Sequence, residues 1–259
     1  MPTVDVSGAR LWYDEAGSGD AVLLLHGGLG DSGLWEPVVP FLAGRFRTFR
    51  TDLRFFGRST GPAAPWSWEN DLVGVLDELA VERAAVVGLS LGGRIAFNLA
   101  LAHPERLWAL VGVAPRLAGH EGAPYSGTQA ARYEAAEAAG DLESAMAVDF
   151  EVWAPLGVDD RIRQLWRETP DANPLLEGVG PIAPAGAPAK ERLGELAVPT
   201  LVVTAAHDPA GLREIGPLVA TGAPNARHVE LDSDHYVTLR EPELLSGVLL
   251  EFLTAAAPQ

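Results

Sequence analysis

The chain has 259 residues, 47% of them hydrophobic, no cysteine, and 35 acidic side chains against 19 Lys and Arg, a formal net charge of -16. That length fits one large domain or two small ones and buries a substantial core without staples. The missing cysteines exclude disulfides, thiolate metal sites and cysteine nucleophiles, and the acidic surface repels nucleic-acid phosphates and anionic membranes, so neither is an expected partner.

The opening MPTVDVSGARLWYDEAG lacks a basic stretch followed by an apolar one, and no apolar run reaches the ~20 residues of a membrane helix. The expectation is a soluble cytoplasmic protein. Ala21 to Leu25 predicts a buried strand, closed by the glycine-rich HGGLG, and residues 45–51 predict a second. Over residues 69–80, Leu72, Val75, Leu76 and Leu79 share one helical face. A third strand is expected at 84–89, a helix at 91–102 that stops before Pro104, and a strand from Arg106 to Val113. From about 115 to 197 the pattern changes: helical stretches at 128–140 and 142–153 alternate with Pro and Gly clusters, among them a loop at 178–190. The strand pattern resumes with TLVVTAA from Thr200 and ARHVELD at 226–232, and an amphipathic helix at 242–254 closes the chain. Strands alternating with helices define an α/β fold, a mostly parallel central sheet flanked by helices. Residues 1–114 and 198–259 would form its core and 115–197 a helical cap, together one structural unit.

Chemistry is concentrated in Gly88-Leu89-Ser90-Leu91-Gly92, followed by Gly93. A G-x-S-x-G between a buried strand and a helix fits a nucleophile elbow: small neighbours let strand and helix approach, and the tight turn lifts the hydroxyl off the sheet. A serine needs a base oriented by a third group. Of six histidines, His235 stands in the loop after the last strand and before the final helix, and is the candidate base. His26 orders the glycine-rich loop instead, and His103, His120 and His228 read as surface or strand positions. Asp208, directly after TLVVTAA, is the candidate orienting acid; Asp232 and Asp234 read as solvated loop caps. Chain order is then Ser, Asp, His. Backbone N–H groups of Leu91 and Gly28 are the expected oxyanion donors.

LLLHGG at 23–28, DLRFFGRS at 52–59, GLSLGG at 88–93, His207-Asp208 and Asp234-His235 together resemble the α/β-hydrolase superfamily across essentially the whole chain. The likeness is to small bacterial enzymes similar to enol-lactonases, cofactor-free haloperoxidase-like esterases and carbon–carbon bond hydrolases. It implies an α/β-hydrolase fold, acyl transfer to water through Ser90, and a helical cap over the site. Serine at position 90 departs from the epoxide hydrolases and haloalkane dehalogenases, which carry aspartate there. Relatives usually read D-x-R-G-x-G-x-S where this chain has Phe55 in place of the first glycine. A phenylalanine redirects the loop if that glycine has positive φ, or carries a ring towards the pocket. Asp52, Arg54, Arg58 and Ser59 read as loop scaffolding, and Arg116 as a surface residue.

Trp35, Phe55, Tyr125 and Trp153 are candidate pocket residues, with Trp66, Trp68, Tyr133, Met146, Phe150 and Trp166 as further candidates for an apolar chamber under the cap. Such a lining suits a neutral, partly apolar ester, lactone or aryl ketone. No metal-binding histidine spacing or phosphate-loop lysine is present, so no metal or cofactor is expected. The partner is a small-molecule substrate; the sequence sets no oligomeric state. Three other readings share these residues: a carbon–carbon bond hydrolase on the same triad, a cofactor-free lyase or cyclase, and a ligand-binding receptor on a hydrolase scaffold.

Overall fold

The computed structural model describes residues 2–62, 65–120, 122, 124–168 and 186–258. Most of the Pro- and Gly-rich stretch at 178–190 lies outside them. The strands are β1 (Thr3–Val6), β2 (Ala9–Ala16), β3 (Ala21–Leu25), β4 (Arg47–Thr51), β5 (Ala84–Leu89), β6 (Leu107–Val113), β7 (Thr200–Ala205) and β8 (Ala226–Leu231). They form one sheet in the order β1-β2-β4-β3-β5-β6-β7-β8. All pairings from β4 to β8 are parallel, while β1 and β2 add an antiparallel hairpin at one edge. The fold expectation is met.

Every position of β3, β5, β6 and β7 is buried, which is why these strands read as unbroken apolar runs rather than alternating ones. Alternate side chains nonetheless serve opposite faces. Val22, Leu24, Ala85 and Val87 enter one core cluster, and Leu23, Leu25, Ala84 and Val86 the other. Helices cover both. The second cluster receives Leu72 and Leu76 from α2 (Trp68–Glu78) and Ile95, Ala96 and Leu99 from α3 (Leu91–Ala102). The C-terminal helix Pro242–Ala256 delivers Leu245, Leu249, Phe252 and Leu253 to the first.

Between β6 and β7 the chain leaves the sheet. A capping box on Ser126 starts α4 (Gly127–Ala139), Gly140 ends it with φ 67°, and the Asp141 carboxylate caps α5 (Leu142–Trp153). A further helix, α6 (Asp160–Glu168), was not expected from sequence; Ile162 is its buried residue. Met146, Phe150, Trp153 and Ile162 enter the same cluster as the C-terminal helix, so α5 and α6 dock on that face of the core.

Candidate functional site

Ser90 lies between the last residue of β5 and the first of α3, with φ 51° and ψ -110°. A positive φ at a non-glycine residue is a strained conformation held by its surroundings. The surroundings are glycines with no room to spare. A Cβ at Gly88 would lie 2.2 Å from the Gly92 carbonyl oxygen, and one at Gly92 would lie 2.5 Å from that of Leu25. The Ser90 hydroxyl makes no capping bond to α3; its N–H donates to Val113 O at 3.0 Å, tying the turn to the end of β6.

The glycine-rich loop after β3 packs on this turn. His26 O accepts from Gly92 N–H at 3.1 Å, and a Cβ at Gly27 would stand 3.3 Å from Ser90 Cβ. His26 is fully buried. Its Nε2 accepts from Leu53 N–H at 2.9 Å, so the proton sits on Nδ1, 2.8 Å from Gly27 O. Burial holds His26 below the usual imidazole range, and the neutral ring fixes the loop, as its sequence position suggests. Among the described residues neither Leu91 N–H nor Gly28 N–H donates to a protein acceptor. Both are available donors beside the Ser90 turn.

Asp208 follows β7 and His235 follows β8, at the same carboxyl edge. His235 Nδ1 lies 3.0 and 3.1 Å from the two Asp208 carboxylate oxygens. A carboxylate only accepts, so Nδ1 carries a proton, and in the neutral ring Nε2 is the nitrogen with the lone pair. Ser90, Asp208 and His235 are 7%, 5% and 5% exposed. The loops are cross-tied by Ala206 N–H to Leu231 O at 2.9 Å and His207 N–H to Ser233 O at 3.0 Å. The His207 ring turns outward to exposed Asp232, 2.8 Å away.

Asp234 corrects one expectation. It is fully buried rather than solvated, and accepts from Arg240 Nε at 2.6 Å, Tyr236 N–H at 3.2 Å and Leu156 N–H at 3.2 Å. A polar residue in a surface-like loop string (DSDHY) gives no sign of such burial; the signal is Arg240, close enough in the chain to neutralise it.

The remaining candidates divide into separate groups. Trp35 exposes no surface and lies in the core cluster with Leu34, Val38, Leu42 and Phe46. Phe55 keeps a positive φ of 71°, and its half-buried ring packs edge-on against Trp66 at 5.4 Å, Trp66 in turn against Trp68 at 4.9 Å. Tyr125 and Trp153 form a different group beside the His235 loop, with the Trp153 ring 4.6 Å from the imidazole. Asp52, Arg54, Arg58 and Ser59 behave as scaffold: Asp52 accepts from Ser32 N–H at 3.0 Å and Arg58 Nε at 2.8 Å, Arg54 pairs with buried Asp71 at 2.6 Å, and Ser59 Oγ donates to Asp52 O at 2.6 Å.

A parallel sheet whose carboxyl edge gathers a strained serine, a histidine–carboxylate pair and free backbone donors matches a known family. The model of the alpha/beta hydrolase fold matches residues 20–242, and the chain belongs to that family. It is 30% identical over 251 residues to the pimeloyl-acyl-carrier-protein methyl ester esterase of Aeromonas hydrophila, spanning 92% of this chain and 96% of that one. A hydrolase from Pseudomonas aeruginosa superposes with a TM-score of 0.77 at 26% identity, each chain covered over 97%. The enol-lactonase of Burkholderia xenovorans shares the fold, with a TM-score of 0.70 at 23% identity over 98% of this chain and all (100%) of that one. Hydrolase is therefore the class of enzyme that family and relatives define. No described helix is long and apolar enough to cross a membrane.

Proposed function

We propose that the protein is a serine hydrolase that cleaves a small, partly apolar carboxylic ester or lactone through an acyl-enzyme on Ser90. The observation that carries this reading is that the carboxyl edge of one sheet holds both a strained, buried Ser90 and a His235 whose Nδ1 lies within hydrogen-bond distance of both oxygens of Asp208. In the proposed cycle His235 Nε2 takes the Ser90 proton as Oγ attacks the substrate carbonyl, and the Leu91 and Gly28 amides hold the oxyanion. Collapse breaks the acyl–oxygen bond, and the leaving alkoxide takes the proton from His235. Water, deprotonated by the same nitrogen, then attacks the acyl group and releases the acid and Ser90. Asp208 stabilises the imidazolium throughout. In this reading α4, α5 and α6 act as the cap, and Tyr125, Trp153, Met146 and Phe150, clustered on the His235 side, favour an apolar acyl or alcohol group. The methyl ester named for the Aeromonas relative is of this class.

Intact-mass analysis after treatment with a fluorophosphonate tests the reading, alongside hydrolysis of short-chain p-nitrophenyl esters and lactones. One adduct mapped to Ser90 is expected in the wild type, with none in Ser90→Ala and strongly slowed labelling in His235→Ala. Both variants should lose more than about 10³-fold in kcat. A well-folded wild type that takes no label and turns over neither ester nor lactone refutes it.

A further inference from the structure

Resting on that reading, we infer that Trp153 is a positioning residue for the base, its indole held against the His235 imidazole by a buried chain running from Asp149 through the Tyr125 hydroxyl. The chain has one possible hydrogen-bond direction. Tyr125 Oη donates to Asp149 Oδ1 at 2.5 Å and Trp153 Nε1–H donates to Tyr125 Oη at 3.2 Å. An indole nitrogen only donates and a carboxylate only accepts, so the tyrosine between them must give its proton to Asp149 and its lone pair to Trp153. Burial, reinforced by Asp149, raises the Tyr125 phenol above its ordinary range, so that proton stays in place. The other Asp149 oxygen accepts from Trp166 Nε1–H at 3.1 Å. This anchors the carboxylate between α5, which carries it, and α6.

The far end of the chain is the His235 ring, centroid to centroid 4.6 Å with the planes inclined by 46°. An indole within about 6 Å favours a cation over a neutral ring, most where its face is presented, and at this tilt the contact is part face and part edge. The imidazole becomes that cation each time it takes a proton from Ser90 or water. A second set of contacts fixes the same juxtaposition from the backbone side. Leu156 N–H, three residues beyond Trp153, donates to Asp234, the residue before His235. Arg240 bonds both Asp234 Oδ1 and Gly157 O. The residues just after α5 and the histidine loop are therefore clamped together beside the ring contact. α5 supplies the carboxylate and the indole, and the residues just after it supply the tether; Asp149 and Trp153 are one turn apart on a single helical face.

Steady-state kinetics on a p-nitrophenyl ester, with the fluorophosphonate labelling rate of Ser90, test this on Trp153→Leu, Trp153→Phe, Tyr125→Phe and the Trp153→Leu/Tyr125→Phe double variant. Trp153→Leu should lower kcat by roughly 3- to 30-fold, the range of a buried cation–aromatic contact, with KM changed less. Trp153→Phe should recover part of the loss, to no better than Tyr125→Phe, since it keeps an aromatic ring but gives up the bond to the Tyr125 hydroxyl. Tyr125→Phe removes a single oxygen and guards against a folding artefact. It should lower kcat on its own and add little to Trp153→Leu, because both act through one chain. Labelling of wild-type Ser90 with unchanged kcat in Trp153→Leu, or with KM alone affected, or with additive losses in the double variant, would overturn the positioning role and leave the serine mechanism standing. An unlabelled, inactive wild type would overturn both.

Discussion

Phe55 and Gly57 occupy one loop and both have positive φ, 71° and 51°, yet only one of them is glycine. The difference is space. A Cβ at Gly57 would lie 2.5 Å from Asp52 Oδ2, against the carboxylate that holds Ser32 and Arg58. At position 55 the side chain points away, onto Trp66. The loop keeps its conformation and bears the strain, about 1–2 kcal/mol for an L-residue in the left-handed region, offset by an aromatic contact of about 0.5–1.5 kcal/mol plus partial burial. Phe55→Gly removes both terms, and its stability should stay within about 1 kcal/mol of wild type. Phe55→Ala keeps the strain and loses the ring, and should be less stable than Phe55→Gly by about 1 kcal/mol. Urea denaturation of the three proteins decides this; an alanine variant as stable as the glycine variant would show that the positive φ costs nothing here. The sequence identified the departure from the family pattern at Phe55 and the glycine geometry that makes it matter, but not the Trp66 contact, because partners far apart in the chain leave no periodic trace.

Helix α2 illustrates what is and is not legible at the level of elements. Its apolar spacing at Leu72, Val75 and Leu76 marks it in the sequence; the structure adds the cap, Ser67 Oγ accepting from Asn70 N–H. Besides α3 it packs on β1, a strand of four residues whose alternation of exposed Thr3 and Asp5 with buried Val4 and Val6 is too short to stand out. Likewise α6 places Ile162, Leu165 and Trp166 at the i, i+3, i+4 spacing of an apolar stripe, but in a nine-residue helix that is a single repeat among charged neighbours, too short to stand out. Long buried strands and the elbow were readable because burial on both faces and close glycine packing constrain composition directly. The seat of α2 on β1 is Gly74: a Cβ there would lie 2.1 Å from Val6 Cγ1. Gly74→Ala gains up to about 1 kcal/mol of helix propensity but overpacks a buried contact at about 1–3 kcal/mol. We expect net destabilisation, with Val6→Ala costing less in the Gly74→Ala background than alone. A double-mutant cycle in urea measures that coupling, and additive losses would mean that helix and strand separate without strain.

For the molecule as a whole, the response to acid follows from two buried groups of opposite charge type. His26 is held neutral by burial, below its usual 6.5. The unfolded chain, free of that constraint, takes up the proton first, so below about pH 6.5 the unfolded state binds more protons and stability decreases as the pH is lowered. Burial alone would raise Asp52, but its bonds from Arg58 and Ser32 outweigh this and hold it below its usual 3.8. The stability it contributes is present above that value and is lost only at lower pH, as the folded carboxylate finally protonates. Two separate windows result, and the upper one belongs to the histidine. The net charge of -16 acts in the other sense, since protonating surface carboxylates relieves self-repulsion; about 0.5 M salt screens that contribution. At this salt, the unfolding free energy of the wild type should fall between pH 7 and 5, with a slope of up to about 1.4 kcal/mol per pH unit for one linked proton. In His26→Asn, which is less stable at pH 7 because the bond from Leu53 N–H and the loop anchor are weakened, the slope in this window should flatten. Urea titrations of both proteins at pH 7, 6 and 5 give the comparison directly. An undiminished slope in His26→Asn would assign the acid sensitivity to another group and leave His26 with only its role as anchor of the glycine-rich loop.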